Sequence, residues 1–276
     1  MQIDLSETFL FEAETVRWGT LGDPGAPPLV MIHGTPFSSQ VWRRIAPSLA
    51  RTRRVYLFDL LGYGLSQPET ARDVSLRVQN RLLGALLDHW RLSAPEVLAH
   101  DFGGATALRS HLLDQRDFAS LTLVDPVALR PWGSPFVAHV REHEAAFAGM
   151  PDYAHAALLG AYIQTSAHRA LSPADLDVYT APWRGSMGQP AFYRQIAQMD
   201  EAHTDKVEAH LSAMRCPVRL LWGVEDQWIP IETGRRVAAR LKPEAFWEIP
   251  GAGHLMQEDA PEAIMAALAH TGPRAV

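Results

Sequence analysis

Short apolar runs recur along the chain, each followed by a glycine- or proline-rich turn and then a stretch with helical spacing. Phe9 to Leu21 alternates apolar and polar positions and includes Val, Thr and Trp. That pattern predicts two short antiparallel strands leading into the turn Gly22-Asp23-Pro24-Gly25. Leu29–Ile32, Val55–Phe58, Glu96–Ala99, Leu121–Val124, Val218–Trp222 and Ala245–Ile249 are brief apolar runs of the kind that fill a buried sheet. Helical spacing appears between them, over Val41–Leu49, Leu76–Trp90, Ala105–Leu113, Thr233–Leu241 and Pro261–Ala269. In the longest, Leu82, Leu83, Leu86 and Leu87 share one side. Strands alternating with helices predict a mostly parallel sheet flanked by helices, with sites at the carboxyl ends of the strands.

The pattern changes between about Pro126 and about His210. That stretch is helical in spacing, rich in Ala, Tyr, Trp and His, and broken by Pro135, Pro151, Pro173, Pro182 and Pro190, without an evident core strand. It reads as a helical cap at 126–210, inserted into a core formed by 1–125 and 211–276. Repeats and low-complexity tracts are not evident.

The turn after Glu96–Ala99 carries the most chemistry. In Ala99-His100-Asp101-Phe102-Gly103-Gly104, small residues stand two before Asp101 and two and three after it. A sharp strand-to-helix turn needs small neighbours at those places, and this is the small-x-nucleophile-x-small elbow. The bland alternative is a glycine-rich turn with a solvated Asp. Further along come His33-Gly34-Thr35-Pro36, Asp59-Leu60-Leu61-Gly62-Tyr63-Gly64-Leu65-Ser66, Asp226 just after a strand, and His254 in the loop Pro250-Gly251-Ala252-Gly253-His254.

With these motifs the chain resembles the α/β-hydrolases that use an aspartate nucleophile: epoxide hydrolases, haloalkane dehalogenases and haloacetate dehalogenases. The resemblance runs over almost the whole chain. It implies the α/β-hydrolase fold with Asp101 as nucleophile, Asp226 as the acid and His254 as the base, in the order typical of the fold. Asp125, after an earlier strand, is the rival acid; its plain alternative is a helix cap. Backbone N–H groups of Thr35 and Phe102 would form the oxyanion hole.

A carboxylate is charged at neutral pH and needs no base to activate it, and its attack on saturated carbon gives an ordinary alkyl ester. His254 would then activate water to hydrolyse that ester. An opening epoxide needs O–H donors. By resemblance Tyr193, in Phe192-Tyr193-Arg194, supplies one, and Tyr153 the other, with Tyr162 in reserve. A departing halide needs N–H donors; Phe102 has none where haloalkane dehalogenases commonly carry Trp, but Trp132, His139, Trp183 and Tyr193 leave halide chemistry open. The expected function is hydrolysis of a small, mostly apolar epoxide. A dehalogenase is the first alternative and a non-catalytic ligand-binding member of the fold the second. His33, Pro36, His100, Trp132, His139, Tyr162 and Trp183 are expected to line the pocket.

Composition narrows the partners. The chain has 276 residues, 47% hydrophobic, with a net charge of −6 and pI ≈ 6.0. That balance favours neither nucleic acid nor an anionic membrane. The expected partners are a small-molecule substrate and water, with no cofactor or metal. The N-terminal stretch is acidic rather than a signal peptide. The single cysteine, Cys216, fits a reducing cytosol and a cytoplasmic location. A catalytic Cys216 is the sharper alternative. His139-Val140-Arg141-Glu142-His143 matches a zinc-protease pattern, but it lacks a third-ligand helix and reads as the polar face of a cap helix.

Overall fold

The computed structural model describes residues 2–66 and 73–270. Its centre is an eight-stranded sheet of β1 (Glu7–Phe11), β2 (Glu14–Leu21), β3 (Pro28–Ile32), β4 (Arg54–Phe58), β5 (Glu96–His100), β6 (Ser120–Val124), β7 (Val218–Gly223) and β8 (Ala245–Ile249). The spatial order is β1-β2-β4-β3-β5-β6-β7-β8. β2 runs antiparallel to β1 and β4; every later pairing is parallel. The apolar runs of β3, β5 and β6 are buried on both faces, as a sheet covered by helices on both sides requires.

The core helices are α1 (Ala46–Leu49), α2 (Leu76–Trp90) and α3 (Asp101–Leu112). Between β6 and β7 run α4 (Pro135–Ala148), α5 (Asp152–Gln164), α6 (Pro173–Thr180), α7 (Gly185–Ala197) and α8 (Ala202–Glu208). The chain closes with α9 (Ile231–Leu241), α10 (Met256–Asp259) and α11 (Pro261–Ala269). α2 buries Leu82, Leu83, Leu86 and Leu87 against the core, and α3 is buried along its whole length. No helix among the described residues is long and apolar enough to cross a membrane.

Two expectations change. The single helix over Val41–Leu49 is a 3-10 turn, Ser39–Trp42, followed by α1 with Pro47 at its start. Proline is pre-set for a first helical turn but cannot donate within one, so the helix restarts there. The elbow helix begins at Asp101 itself, ahead of the expected Ala105.

Candidate active site

Asp101 occupies the junction of β5 and α3 with φ +50°, a left-handed conformation that side chains rarely adopt. The glycines of the elbow explain how the turn is accommodated. A Cβ on Gly103 would lie 2.5 Å from the backbone oxygens of Ile32 and His33, and one on Gly104 2.6 Å from Pro126. A Cβ on Gly34 would lie 2.4 Å from Asp101 itself. Only bare backbone lets β3, the elbow and α3 approach this closely.

The carboxylate of Asp101 is held from two sides. Thr35 N–H donates to Oδ1 at 2.7 Å, and His254 Nε2 lies 3.4 Å from Oδ2. On the far side of the ring, His254 Nδ1–H donates to Asp226 Oδ2 at 2.8 Å. Asp226 Oδ1 accepts the backbone N–H groups of Trp228 at 2.8 Å and Ile229 at 2.9 Å, which fixes its rotation. Burial disfavours a charge on Asp101, but the proton and charge of His254 outweigh it, and a backbone N–H from Phe102 adds to the effect; the carboxyl sits below its ordinary value. Burial likewise disfavours a charge on His254. The carboxylates of Asp226 and Asp101 win, and the imidazolium persists well above the usual histidine range.

A small, largely apolar cavity of about 380 Å³, including its mouth, opens above Asp101. The core contributes Thr35, Asp101, Trp228, Ile229 and His254; the inserted segment contributes Val127, Trp132, Ser134, Val137, Tyr162 and Met199 among others. Tyr162 stacks on Trp228 with ring centroids 4.6 Å apart. Among the described residues its hydroxyl makes no hydrogen bond. Burial first, and the nearby charge of Asp101 next, push its pKa up and keep it protonated.

Several expected pocket residues lie elsewhere. Tyr153 is 79% exposed on the outer face of α5, far from a buried site. Tyr193 is fully buried, but its hydroxyl donates to His155 Nδ1 at 2.8 Å, and His155 Nε2–H donates on to the Trp183 carbonyl; Tyr193 packs inside the insert and does not line the cavity. Burial pushes its pKa up to about 12. Trp183 is spent on structure, its indole N–H donating to the Pro36 carbonyl at 2.7 Å. His139 lies in an outer groove beside His143, Phe147 and Met150. His33 donates to the Gly34 carbonyl and accepts from Leu60 N–H, pinning the loop that carries Thr35. His100 Nε2–H donates to the His254 carbonyl at 2.9 Å, and burial pushes its pKa down to about 3, so it supports the His254 loop as a neutral ring.

Trp132 does line the cavity, but its N–H donates to Thr204 Oγ1 at 2.9 Å. Trp228 donates its own to Thr165 Oγ1. Gln195 on α7 was not foreseen: its Oε1 accepts the Thr35 hydroxyl at 2.6 Å and the Tyr63 hydroxyl at 3.1 Å, leaving Thr35 to offer the cavity its backbone N–H. A Gln in a helix carries no local signal of that task. Asp125, fully buried, bonds Gly223 N–H rather than His254. Burial pushes the Cys216 thiol up to about 11, which makes it a poor nucleophile. Among the described residues no group of three His, Cys, Asp or Glu could hold a metal ion, and His139 and His143 stack edge to face, their ring centroids 4.7 Å apart.

The α/β-hydrolase fold family model matches residues 27–261. The chain belongs to that family. A crystal structure of an α/β-hydrolase fold protein from Burkholderia ambifaria is 55% identical, covers 97% of this chain and 98% of its own, and superposes with a TM-score of 0.94. A haloalkane dehalogenase of Mesorhizobium japonicum is 29% identical over 91% of this chain and 85% of its own length. The acetyltransferase component of the acetoin cleaving system of Pseudomonas putida is 27% identical over 90% of this chain, which spans 64% of that longer protein. The haloalkane dehalogenase DbeA of Bradyrhizobium elkani shares the fold, at 23% identity with a TM-score of 0.78 over 95% of each chain.

Proposed function

We propose that this α/β-hydrolase hydrolyses a small, neutral epoxide through an ester on Asp101. Support comes first from the placement of Asp101, which has one oxygen fixed by Thr35 N–H and the other free to face the cavity beside His254. The observation that carries the choice of leaving group is the pairing of the donors. The indole N–H groups of Trp132, Trp183 and Trp228 are all bonded to protein oxygens, whereas the Tyr162 hydroxyl has no partner among the described residues and adjoins Asp101. A hydroxyl gives a proton to an opening ring oxygen; a halide would need the N–H groups already engaged.

In the first half-reaction an Asp101 oxygen bonds the less hindered epoxide carbon, the carbon–oxygen bond breaks, and the ring oxygen takes the Tyr162 proton. Esterification removes the negative charge of Asp101, which helped hold a proton on His254. The imidazolium is then free to shed that proton, which restores Tyr162. This leaves a neutral imidazole beside the ester, able to take a proton from water. Water adds to the Asp101 carbonyl, the oxyanion is met by the N–H groups of Thr35 and Phe102, and expulsion of the diol regenerates the carboxylate. Among the described residues no positive side chain lines the cavity apart from His254, which fits a neutral substrate better than a haloacid.

The relatedness to haloalkane dehalogenases favours a second reading, in which the same carboxylate displaces halide. His254→Gln, treated with 1,2-epoxyhexane or 1-bromohexane and analysed by intact mass and peptide mapping, separates the two. The epoxide reading expects an adduct on Asp101 that retains the oxygen. An adduct from the bromide alone moves the function to dehalogenation, and the absence of either argues against the covalent route.

A further inference from the structure

Asp125 is a buried carboxyl to which the proposed reaction gives no task. It follows β6 in the left-handed region, φ +43°, and its Oδ1 accepts Gly223 N–H at 2.8 Å. Gly223 ends β7, and Asp226 lies in the turn just beyond, its own N–H bonded to the Gly223 carbonyl at 3.3 Å. The two carboxyl groups therefore meet in one buried corner behind His254. Asp226 has its oxygens engaged by His254, Trp228 and Ile229, whereas Asp125 Oδ2 is buried with no hydrogen-bond partner among the described residues.

The charged groups around this corner are few. Asp226 faces Asp125 from the β7 turn, and His254 faces it from the loop after β8. Asp101 lies beyond His254, and His100, neutral, packs on the His254 ring at 4.9 Å. One imidazolium already serves Asp101 and Asp226, so a third ionised carboxylate would be left without a cation. Adjacent buried carboxyls escape this by holding one proton between them.

We propose that Asp125 is a positioning residue: a neutral carboxylic acid in the resting enzyme, it donates its proton to Asp226 and fixes that carboxylate against His254. Burial and the charge of Asp226 hold the Asp125 carboxyl well above the usual carboxylate range, in agreement. The inference rests on Asp101, Asp226 and His254 being the reacting set, but it concerns the resting protein and can be tested without turnover.

Infrared spectra of protein labelled with 13C at the aspartate carboxyls read the proton directly. At neutral pH the wild type should show a carboxylic-acid carbonyl band that Asp125→Asn lacks; no band, or one that survives in that variant, overturns the proposal. 15N-histidine NMR then reads the positioning. Asp125→Asn can still accept from Gly223 and donate to Asp226, so it should leave the His254 midpoint within about half a pH unit. A midpoint lowered by about one unit or more would mean that Asp125 carries a charge. Asp125→Val has no donor and should speed exchange of the His254 Nδ1 proton, with the Asn variant restoring it; equal exchange in both removes the positioning role. Should Asp125→Val not fold, the Asn variant and the infrared band still decide the protonation. Failure of adduct trapping on Asp101 would strike the epoxide reading and leave these spectra unchanged.

Discussion

The indole of Trp228 lies flat against the phenol of Tyr162, centroids 4.6 Å and planes 15° apart. The same tryptophan gives its backbone N–H to Asp226 and its indole N–H to Thr165, the residue after α5. It thus joins the loop that carries the acid to the helix that carries the cavity hydroxyl. Trp228→Ala removes the stacking face but keeps the backbone donor. The expected result is an alkylation rate lowered by roughly tenfold through loss of Tyr162 alignment, with breakdown of the Asp101 ester near the wild-type rate. Because the indole also packs on the His254 ring, centroids 5.1 Å apart, an equal slowing of ester breakdown would place the effect on His254 and Asp226 instead.

Tyr162→Phe separates proton donation from ester hydrolysis. Removing a general acid typically costs about 10²- to 10⁴-fold. In single-turnover mixing with an epoxide, formation of the Asp101 ester should slow by that order and its breakdown should stay near the wild-type rate. Equal slowing of both phases would show that the hydroxyl acts on something other than the ring oxygen.

The two tyrosines expected to do this work should prove dispensable for chemistry. Tyr153→Phe changes an exposed ring and should leave both stability and rate unaltered. Tyr193→Phe leaves His155 Nδ1 without its donor, costing about 1 kcal/mol of stability, read by urea unfolding, with the alkylation rate nearly unchanged. A large rate loss in either variant would return the proton-donor role to it.

The strands and the elbow were legible because local rules govern them, whereas the meeting of Asp101, Asp226 and His254 was implied by the family resemblance alone. Apolar runs have to form a buried sheet, and a sharp strand-to-helix turn has to carry small residues around Asp101, where β3 and Pro126 press against it. The cavity wall from the insert was not legible in the same way. Tyr153, Tyr162 and Tyr193 all occur in helices, and which phenol reaches Asp101 depends on how α5 and α7 pack, a long-range outcome. The sequence contains Trp183 and Trp132 as potential N–H donors, but nothing local says that Pro36 and Thr204 accept those protons. Asp125 and Asp226 both follow adjacent parallel strands, so either could have met His254; the turn after β7 gives that place to Asp226.

Gly103→Ala tests the close approach beneath the elbow. Its Cβ would stand 2.5 Å from two main-chain oxygens, and backbone cannot yield as a side chain can. A loss of about 1–3 kcal/mol or more is expected in urea unfolding, together with loss of alkylation as Asp101 shifts. A variant of wild-type stability would mean that β3 and α3 can separate without cost.

The charge on His254 gives the fold a pH signature of definite sign. Its pKa in the folded protein stands above that of the unfolded chain, so its protonation stabilises the fold fully below about pH 6.5, and the contribution is lost as pH rises through the folded value. Asp101 shifts the other way. Its contribution is present above about pH 3.9 and is lost as pH falls through its depressed folded value. The pair is therefore worth most between those limits. His254→Gln leaves two buried carboxylates facing an uncharged amide, so the gap in Tm between wild type and variant should be widest near about pH 5.5 and shrink toward about pH 9. A gap that instead widens with rising pH would mean that His254 is neutral in the resting protein, and the proton that restores Tyr162 would have to come from solvent.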